Sequence, residues 1–238
     1  SALNEGAAKA ALDESTLSRY SVNKDVVKRA LEQKDIVRLR QFSQYFYHNS
    51  GEYRRLVDYF GNMLTNDYII IPTEEKGNTE KRFQKILEYT ENANIKETSN
   101  SIGQIVVRDG AYFGYERDLN GRITMQQLPT AFCRSRFKVY GVYAVEFDFS
   151  FFDQYRGDDL EEMLGAFPDE FTQMYATYLA DRQNERWQIL DPVFARAHML
   201  EDAVPMLSPV FIDLIELEDY KRMEKRKARL ELYKLIIQ

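Results

Sequence analysis

Residues 208–238 read SPVFIDLIELEDYKRMEKRKARLELYKLIIQ, and how this stretch is read decides the fold. Ser208 suits an N-cap, and Pro209 suits the first helical position, where its missing N–H is no loss. Val210, Phe211, Leu214, Ile215 and Leu217 form an apolar first half, with Glu216, Glu218 and Asp219 around its end. Tyr220, Met223, Leu230, Tyr233 and Ile237 then recur at three-, four- and seven-residue steps, which is helical spacing. Between them lie six basic side chains: Lys221, Arg222, Lys225, Arg226, Lys227 and Arg229. The spacing predicts one long helix, with a break into two near Glu216–Asp219 as the alternative. Leu235-Ile236-Ile237-Gln238 is apolar and carries no Gly or Pro stop, so the polypeptide is expected to continue.

The 238 residues suffice for one large domain or two modest ones. Sixteen Tyr and fifteen Phe against one Trp leave two readings open: one core built on Phe and Tyr, or aromatics placed in subunit contacts. With 32 basic and 38 acidic residues the net charge is −6, which argues against tight non-specific DNA binding by the whole surface. A local basic patch is compatible with that charge. The lone Cys133 excludes an intrachain disulfide and a multi-cysteine zinc site, and fits a reducing compartment. No apolar run approaches a membrane span, and the start lacks the blocks of a secretion signal, so a cytoplasmic soluble product is expected.

Upstream, residues 1–22 lack periodicity and read as a loose arm, with a short helix around Ala7–Leu12. Asn23 caps a predicted helix over Lys24–Glu32, and a second begins near Asp35 with the stripe Ile36, Leu39, Phe42, Phe46 and Tyr47. Gly51 is expected to break it. A third helix follows with Tyr53, Leu56, Val57, Phe60, Met63 and Leu64 on one face, and the two helices joined at Asn49-Ser50-Gly51 make an αα unit. Asp67–Ile71 reads as extended and Glu74–Thr79 as a polar loop. From Thr79 a helix carries Phe83, Ile86, Leu87 and Thr90, and Ala93-Asn94 marks a turn. Residues 95–107 fit a helix or, at Gln104–Val107, a strand; helix is the preferred reading.

After Gly110 the period becomes two. Ala111–Arg117 and Arg122–Gln127 flank Asn120-Gly121, a strong hairpin signal. Phe132–Phe137 and Val142–Phe149 flank a turn near Tyr140-Gly141, and the four strands are expected to form one antiparallel sheet. In the last of them Tyr143, Val145, Phe147 and Phe149 share a face opposite Ala144, Glu146 and Asp148. Asp158–Phe167 and Asp169–Ala180 read as helices, the latter striped by Phe171, Met174, Tyr175 and Tyr178. Trp187–Leu190 and Phe194–His198 read as short extended pieces. The class is therefore α+β.

Motifs for chemistry are few. The sequence holds neither a GxxxxGK[ST] phosphate loop nor a GxGxxG fingerprint. His48 and His198 lack a second ligand at metal spacing and take structural or surface roles. Cys133 reads as a buried filler. Glu146 and Asp148 lie two apart on a strand, as a metal-binding nuclease pair would, although acidic residues on a wet strand face are commoner. Asp158, Asp159, Glu161 and Glu162 suit a solvated helix start, favoured by the helix dipole. Arg54-Arg55 and the 221–229 cluster are the basic features. Neither a cofactor nor a metal is expected.

Three segments together carry a resemblance. The first is Asp35–Arg40, Tyr45-Phe46-Tyr47, Ser50–Val57 and Leu64–Tyr68. The second joins Leu128-Pro129 through Phe132-Cys133-Arg134 to the strand Val145–Asp153. The third runs from Leu207-Ser208-Pro209-Val210-Phe211 into Leu217–Lys221. Over residues 35 to 238 this pattern resembles tailed-bacteriophage portal proteins of Gram-positive hosts, and the third segment is similar to the passage from wing to stem helix in small-podovirus connectors.

The resemblance implies a dodecameric ring at one capsid vertex of the virion, assembled in the host cytoplasm and without contact to a membrane. Double-stranded DNA would pass through it, and capsid protein, terminase and tail adaptor would be its partners, with ATP hydrolysis left to the terminase. Residues 1–22 would be an arm, 23–206 a helix-rich wing-like domain with a small antiparallel sheet, and 207–238 the start of a long stem helix. The clip, second stem helix and crown that the family carries are not in this sequence. Along the stem, Tyr220, Met223, Leu230, Tyr233 and Ile237 are expected to face neighbouring helices, because exposure would leave an apolar stripe in water. Lys221, Lys225, Arg226 and Arg229 are then the candidates for facing the channel and meeting DNA phosphates loosely. The rival readings are another head–tail adaptor or collar protein, and a metal-dependent nuclease using Glu146 and Asp148.

Overall fold

The computed structural model describes residues 22–63, 70–71, 79–119, 122–139 and 141–237, with side chains to Leu230 on the last helix. The expected arm over 1–22 and the expected loop over Glu74–Thr79 lie outside these residues but for Val22 and Thr79, and of the extended run Asp67–Ile71 only residues 70–71 are described. The architecture is α+β, helices joined to small antiparallel sheets. Among the described residues no helix is long and apolar enough to cross a membrane.

The first helices form where their sequence stops say they should. Helix α1 (Lys24–Glu32) starts at Asn23, whose side-chain oxygen accepts from the Val26 N–H at 2.9 Å. Helix α2 (Ile36–Asn49) starts at Asp35, whose carboxylate accepts from the Arg38 N–H. Helix α3 (Gly51–Met63) follows at once. The break falls at Ser50, inside the expected joint at Asn49-Ser50-Gly51, while Gly51, expected to be the breaker, is itself the first residue of α3. Ser50 is extended, its N–H closes α2 on the Phe46 carbonyl, and its hydroxyl accepts from the Tyr53 N–H to open α3. The face of α3 that is buried is also narrower than its apolar pattern. Tyr53, Val57 and Gly61 point inward, whereas Leu56 and Met63 are exposed. Gly61 is required there, since a Cβ would lie 2.8 Å from the Gln104 Cα of the helix packed against it.

Helices α4 (Thr79–Asn92) and α5 (Ile95–Asp109) meet at Asn94, whose φ of 43° makes the turn. The helix reading of 95–107 holds. Gly103, Val106 and Val107 are buried at helical spacing, and Gly110 ends the helix in the left-handed conformation. Strands β1 (Ala111–Leu119) and β2 (Arg122–Gln127) pair antiparallel with Leu119 opposite Arg122, as expected for the two strands flanking Asn120-Gly121.

The expected four-stranded sheet does not form; the strands divide into three sheets. β1 lies between β2 and β8 (Ala195–Met199). β6 (Glu146–Asp148) lies between β3 (Cys133–Arg134) and β7 (Trp187–Ile189). β4 (Lys138–Val139) and β5 (Val142–Tyr143) make a separate ribbon. Phe149 does not extend β6, because the Asp148 carboxylate accepts from the Ser150 N–H at 3.0 Å and turns the chain into a 3-10 helix over Phe149–Gln154. Helices α6 (Asp158–Ala166) and α7 (Asp169–Ala180) follow, and α7 buries Phe171, Tyr175 and Tyr178. A 3-10 turn over Ser208–Val210 leads into α8 (Phe211–Ile237). Ser208 is thus a buried residue of the lead-in turn and not the expected N-cap.

Two hydrophobic clusters result. One is built on Phe147, Phe149, Phe151, Phe152, Phe167 and Phe171, with many ring pairs edge-on, such as Phe147 and Phe171 at 5.2 Å. Such pairs add about 0.5–1.5 kcal/mol each beyond burial. The other joins α1, α2 and α3 to the start of α8 through Phe42, Phe46, Tyr53 and Phe211. Ten of the fifteen Phe are buried, which favours the core reading of the aromatic composition over the interface reading for phenylalanine.

Gly110 joins the two halves. Its φ is +77°, and a Cβ there would lie 2.4 Å from the Ala203 carbonyl oxygen and the Val204 carbonyl carbon. Gly110→Ala is expected to lower unfolding free energy by at least about 2 kcal/mol. At Gly51, by contrast, nothing approaches a built Cβ. Gly51→Ala is therefore expected to be neutral or to stabilise by up to about 1 kcal/mol. Urea denaturation of both variants checks the contrast.

Candidate functional site

Helix α8 begins inside the molecule and leaves it. The Phe211 ring sits 5.2 Å from Phe46, 5.8 Å from Tyr53 and 6.5 Å from Phe42, and Leu214 and Ile215 are also buried. The acidic residues at Glu216–Asp219 do not interrupt the helix. They mark instead where burial stops, since from Asp219 to Leu230 every residue is exposed. Tyr220 is 57%, Met223 60% and Leu230 63% exposed, so the expected contact residues touch little of their own chain. The side chains of Tyr233 and Ile237 lie beyond those described.

Two exposed ion pairs link the helix to α1 and α3 where it leaves. Lys24 Nζ reaches Glu216 Oε1 at 2.6 Å, and Lys221 Nζ reaches Glu52 Oε1 at 2.6 Å. The Lys221 contact, with help from the Glu52 backbone and Ser50, takes the Glu52 carboxyl down to about 2. Lys221 is therefore held against α3 in the single chain, unlike the other proposed channel-facing cations. Arg222 pairs within the helix to Glu218 and Asp219. Lys225, Arg226 and Arg229 form no ion pair with a described side chain.

Helix geometry refines how these residues share the surface. At about 100° per residue, Tyr220, Met223 and Leu230 lie about 110–170° around the axis from the mean direction of Phe211, Leu214 and Ile215. The exposed apolar residues therefore look away from the side that seats the helix. Lys225 and Arg229 are about 120–160° from Met223, while Arg226 is only about 60° from Met223 and 40° from Leu230. Arg226 thus borders the apolar residues and stands apart from Lys225 and Arg229, with which it was grouped as a channel-facing candidate.

The Glu146 and Asp148 pair is not on a wet face. Both side chains are nearly inaccessible, because β6 is a central strand and arginines cover its acidic face. Arg134 Nε and Arg136 Nε donate to Glu146 Oε2 at 2.8 and 2.7 Å, and Arg136 Nη2 donates to Oε1 at 2.5 Å. Arg134 also stacks on Trp187, its Cζ 3.8 Å from the ring centroid. Arg186 grips both oxygens of Asp148, and Ser150 donates to one of them. A divalent ion would have to displace several charge-assisted bonds. Among the described residues no group of three or more His, Cys, Asp or Glu is placed to hold a metal. These arginines could not be assigned from sequence, because Arg186 reaches Asp148 from 38 residues away. Cys133 is buried, and burial pushes its thiol well up. His48 and His198 are exposed, on α2 and β8.

No protein-family profile, curated protein or solved structure matches the chain.

The arginine clasps predict an acid response. The Arg136 bond, with Arg134, holds the Glu146 carboxyl below its ordinary range. Burial works to raise Asp148, but its bonds to Arg186 and Ser150 outweigh it and hold that carboxyl low as well. Both folded values lie below the unfolded ones, so the stabilisation is complete above the unfolded range and is lost as pH falls. Chemical denaturation is expected to give constant stability from pH 7 to about 5 and a decline below about pH 4.5. Glu146→Gln is expected to be less stable at pH 7 and to show a shallower decline.

Proposed function

We propose that the chain is a structural ring subunit of the tailed-phage portal type, its core forming the wing and α8 the start of the stem. The observation that carries this reading is the exposed stripe of Tyr220, Met223 and Leu230 on a helix whose root is buried. Tyr220, Met223 and Leu230 lie within about 80° of one another around the axis, with Lys227 among them and Arg226 beside them, and large apolar side chains left in water on one side of a helix favour a partner surface. In a ring of copies each α8 would meet the next through a repeated heterologous contact, so a small loss per contact is multiplied around the circle. The sequence resemblance supports the same assignment, and the −6 net charge suits a conduit that DNA slides through instead of adhering to. In this reading the protein performs no chemistry of its own. Capsid protein, terminase and tail adaptor are its proposed partners, at a capsid vertex.

Electron microscopy and native mass spectrometry test the proposal. Rings with a central opening, twelve copies in the portal reading, are expected. Met223→Ala and Leu230→Ala are each expected to cost about 2–5 kcal/mol of a contact they bury, and to dissolve rings while the isolated chain stays folded. Lys225→Gln with Arg229→Gln is expected to spare the rings and to weaken salt-sensitive DNA contact. A monomer at all concentrations, or normal rings from the two Ala variants, overturns the assignment.

A further inference from the structure

One face of α2 carries Val37, Arg40, Gln41, Gln44 and His48, at helical spacing, and borders a cavity of about 360 Å³. The end of α5 and residues 127–131 close its other sides. Its charges do not balance. Arg40 and Arg108 line it as cations, and Asp109 is the one carboxylate in the lining. Arg108 takes that carboxylate through two bonds, Nε to Oδ1 at 2.8 Å and Nη2 to Oδ2 at 2.7 Å, and Gln44 Nε2 adds a longer contact at 3.4 Å.

Arg40 is left with carbonyls. Its Nε donates to the Asp109 carbonyl at 2.8 Å and its Nη2 to the Ala203 carbonyl at 3.4 Å. Its Nη1 donates to no described residue. The guanidinium is also largely removed from water, and this burial draws its pKa down. The Asp109 carboxylate nearby offsets part of this, but a desolvated cation whose hydrogen bonds go only to carbonyls retains an attraction for an anion that water screens little. Gln41, Gln127 and Thr130 border the same space and make no side-chain hydrogen bond to a described residue, so neutral donors stand beside the charge. The volume is at the small end of ligand sites, room for a compact group.

We propose that this cavity is a binding site for a compact oxyanion, phosphate or carboxylate, held by Arg40 with Gln41 and Thr130 beside it. It does not depend on ring assembly, since every residue that lines it belongs to one chain. Isothermal titration calorimetry on the full chain, with inorganic phosphate in one arm and succinate in another at constant ionic strength in chloride, tests it. Saturable one-site binding at millimolar concentration or below is expected in at least one arm. Phosphate alone would identify a phosphoryl group as the ligand, succinate alone a carboxylate, and both the shared oxyanion chemistry. Arg40→Gln is expected to weaken binding about tenfold or more. Because Arg40 also holds the Asp109 and Ala203 carbonyls, Gln41→Glu provides a variant that keeps it. That substitution places a carboxylate in the cavity, and is expected to abolish anion binding while raising Tm. No saturable heat with either anion, or unchanged binding in the Gln41→Glu variant, overturns the proposal.

Discussion

The junction at Asp109-Gly110 is the constraint on which the rest depends. Here the helical layer hands over to the first sheet, and the chain returns nearly a hundred residues later to pack on the same point. Arg40 and Ser43 of α2 donate to the carbonyls of Asp109 and Arg108, so α2 is fixed to the end of α5. The Leu200 N–H donates to the Gly110 carbonyl and the Met206 N–H to that of Val107, so the approach to α8 is fixed to it as well. Only a residue without a Cβ fits between them. Phe211 enters the helical cluster in its observed place because this return path is anchored.

What sequence could and could not reveal follows from the range of each interaction. The starts of α1 and α2 were legible because Asn23 and Asp35 act on N–H groups three residues away. The β1–β2 pairing was legible because its two strands are neighbours in the chain. The four-stranded sheet was a wrong extrapolation, because β6 finds a partner in β7, some forty residues downstream, and local alternation carries no sign of that. Glu146 and Asp148 looked solvated for a related reason. Acidic residues alternate with apolar ones in a half-wet strand and in a doubly covered one alike, and only the positions of Arg134, Arg136 and Arg186 decide between them. At Gly51 the competing signal was Ser50, a residue able to end one helix and begin the next with separate atoms.

The candidate surface on α8 was legible in its residues but not in its geometry. Spacing picked out Tyr220, Met223 and Leu230 as contacts for neighbouring helices, and on the single chain they are exposed. Spacing gave no indication that Lys221 is engaged by Glu52, since the carboxylate lies 169 residues away in sequence. The cavity beside Arg40 was not legible at all. It is assembled from two helices and a loop, and its distinguishing property is a charge imbalance that exists only once Asp109 has been claimed by Arg108.

The buried root of α8 makes the helix a lever. From Phe211 to Leu230 the axis runs about 28 Å, so a tilt of about 10° at the root carries Leu230 through about 5 Å. The fulcrum is aromatic, Phe211 among Phe42, Phe46 and Tyr53, and the two lysine–glutamate pairs act as stays on either side. A push at Leu230 would therefore arrive, shortened in distance and enlarged in force, at α2 and α3, and through α2 at the junction that holds both halves of the molecule together.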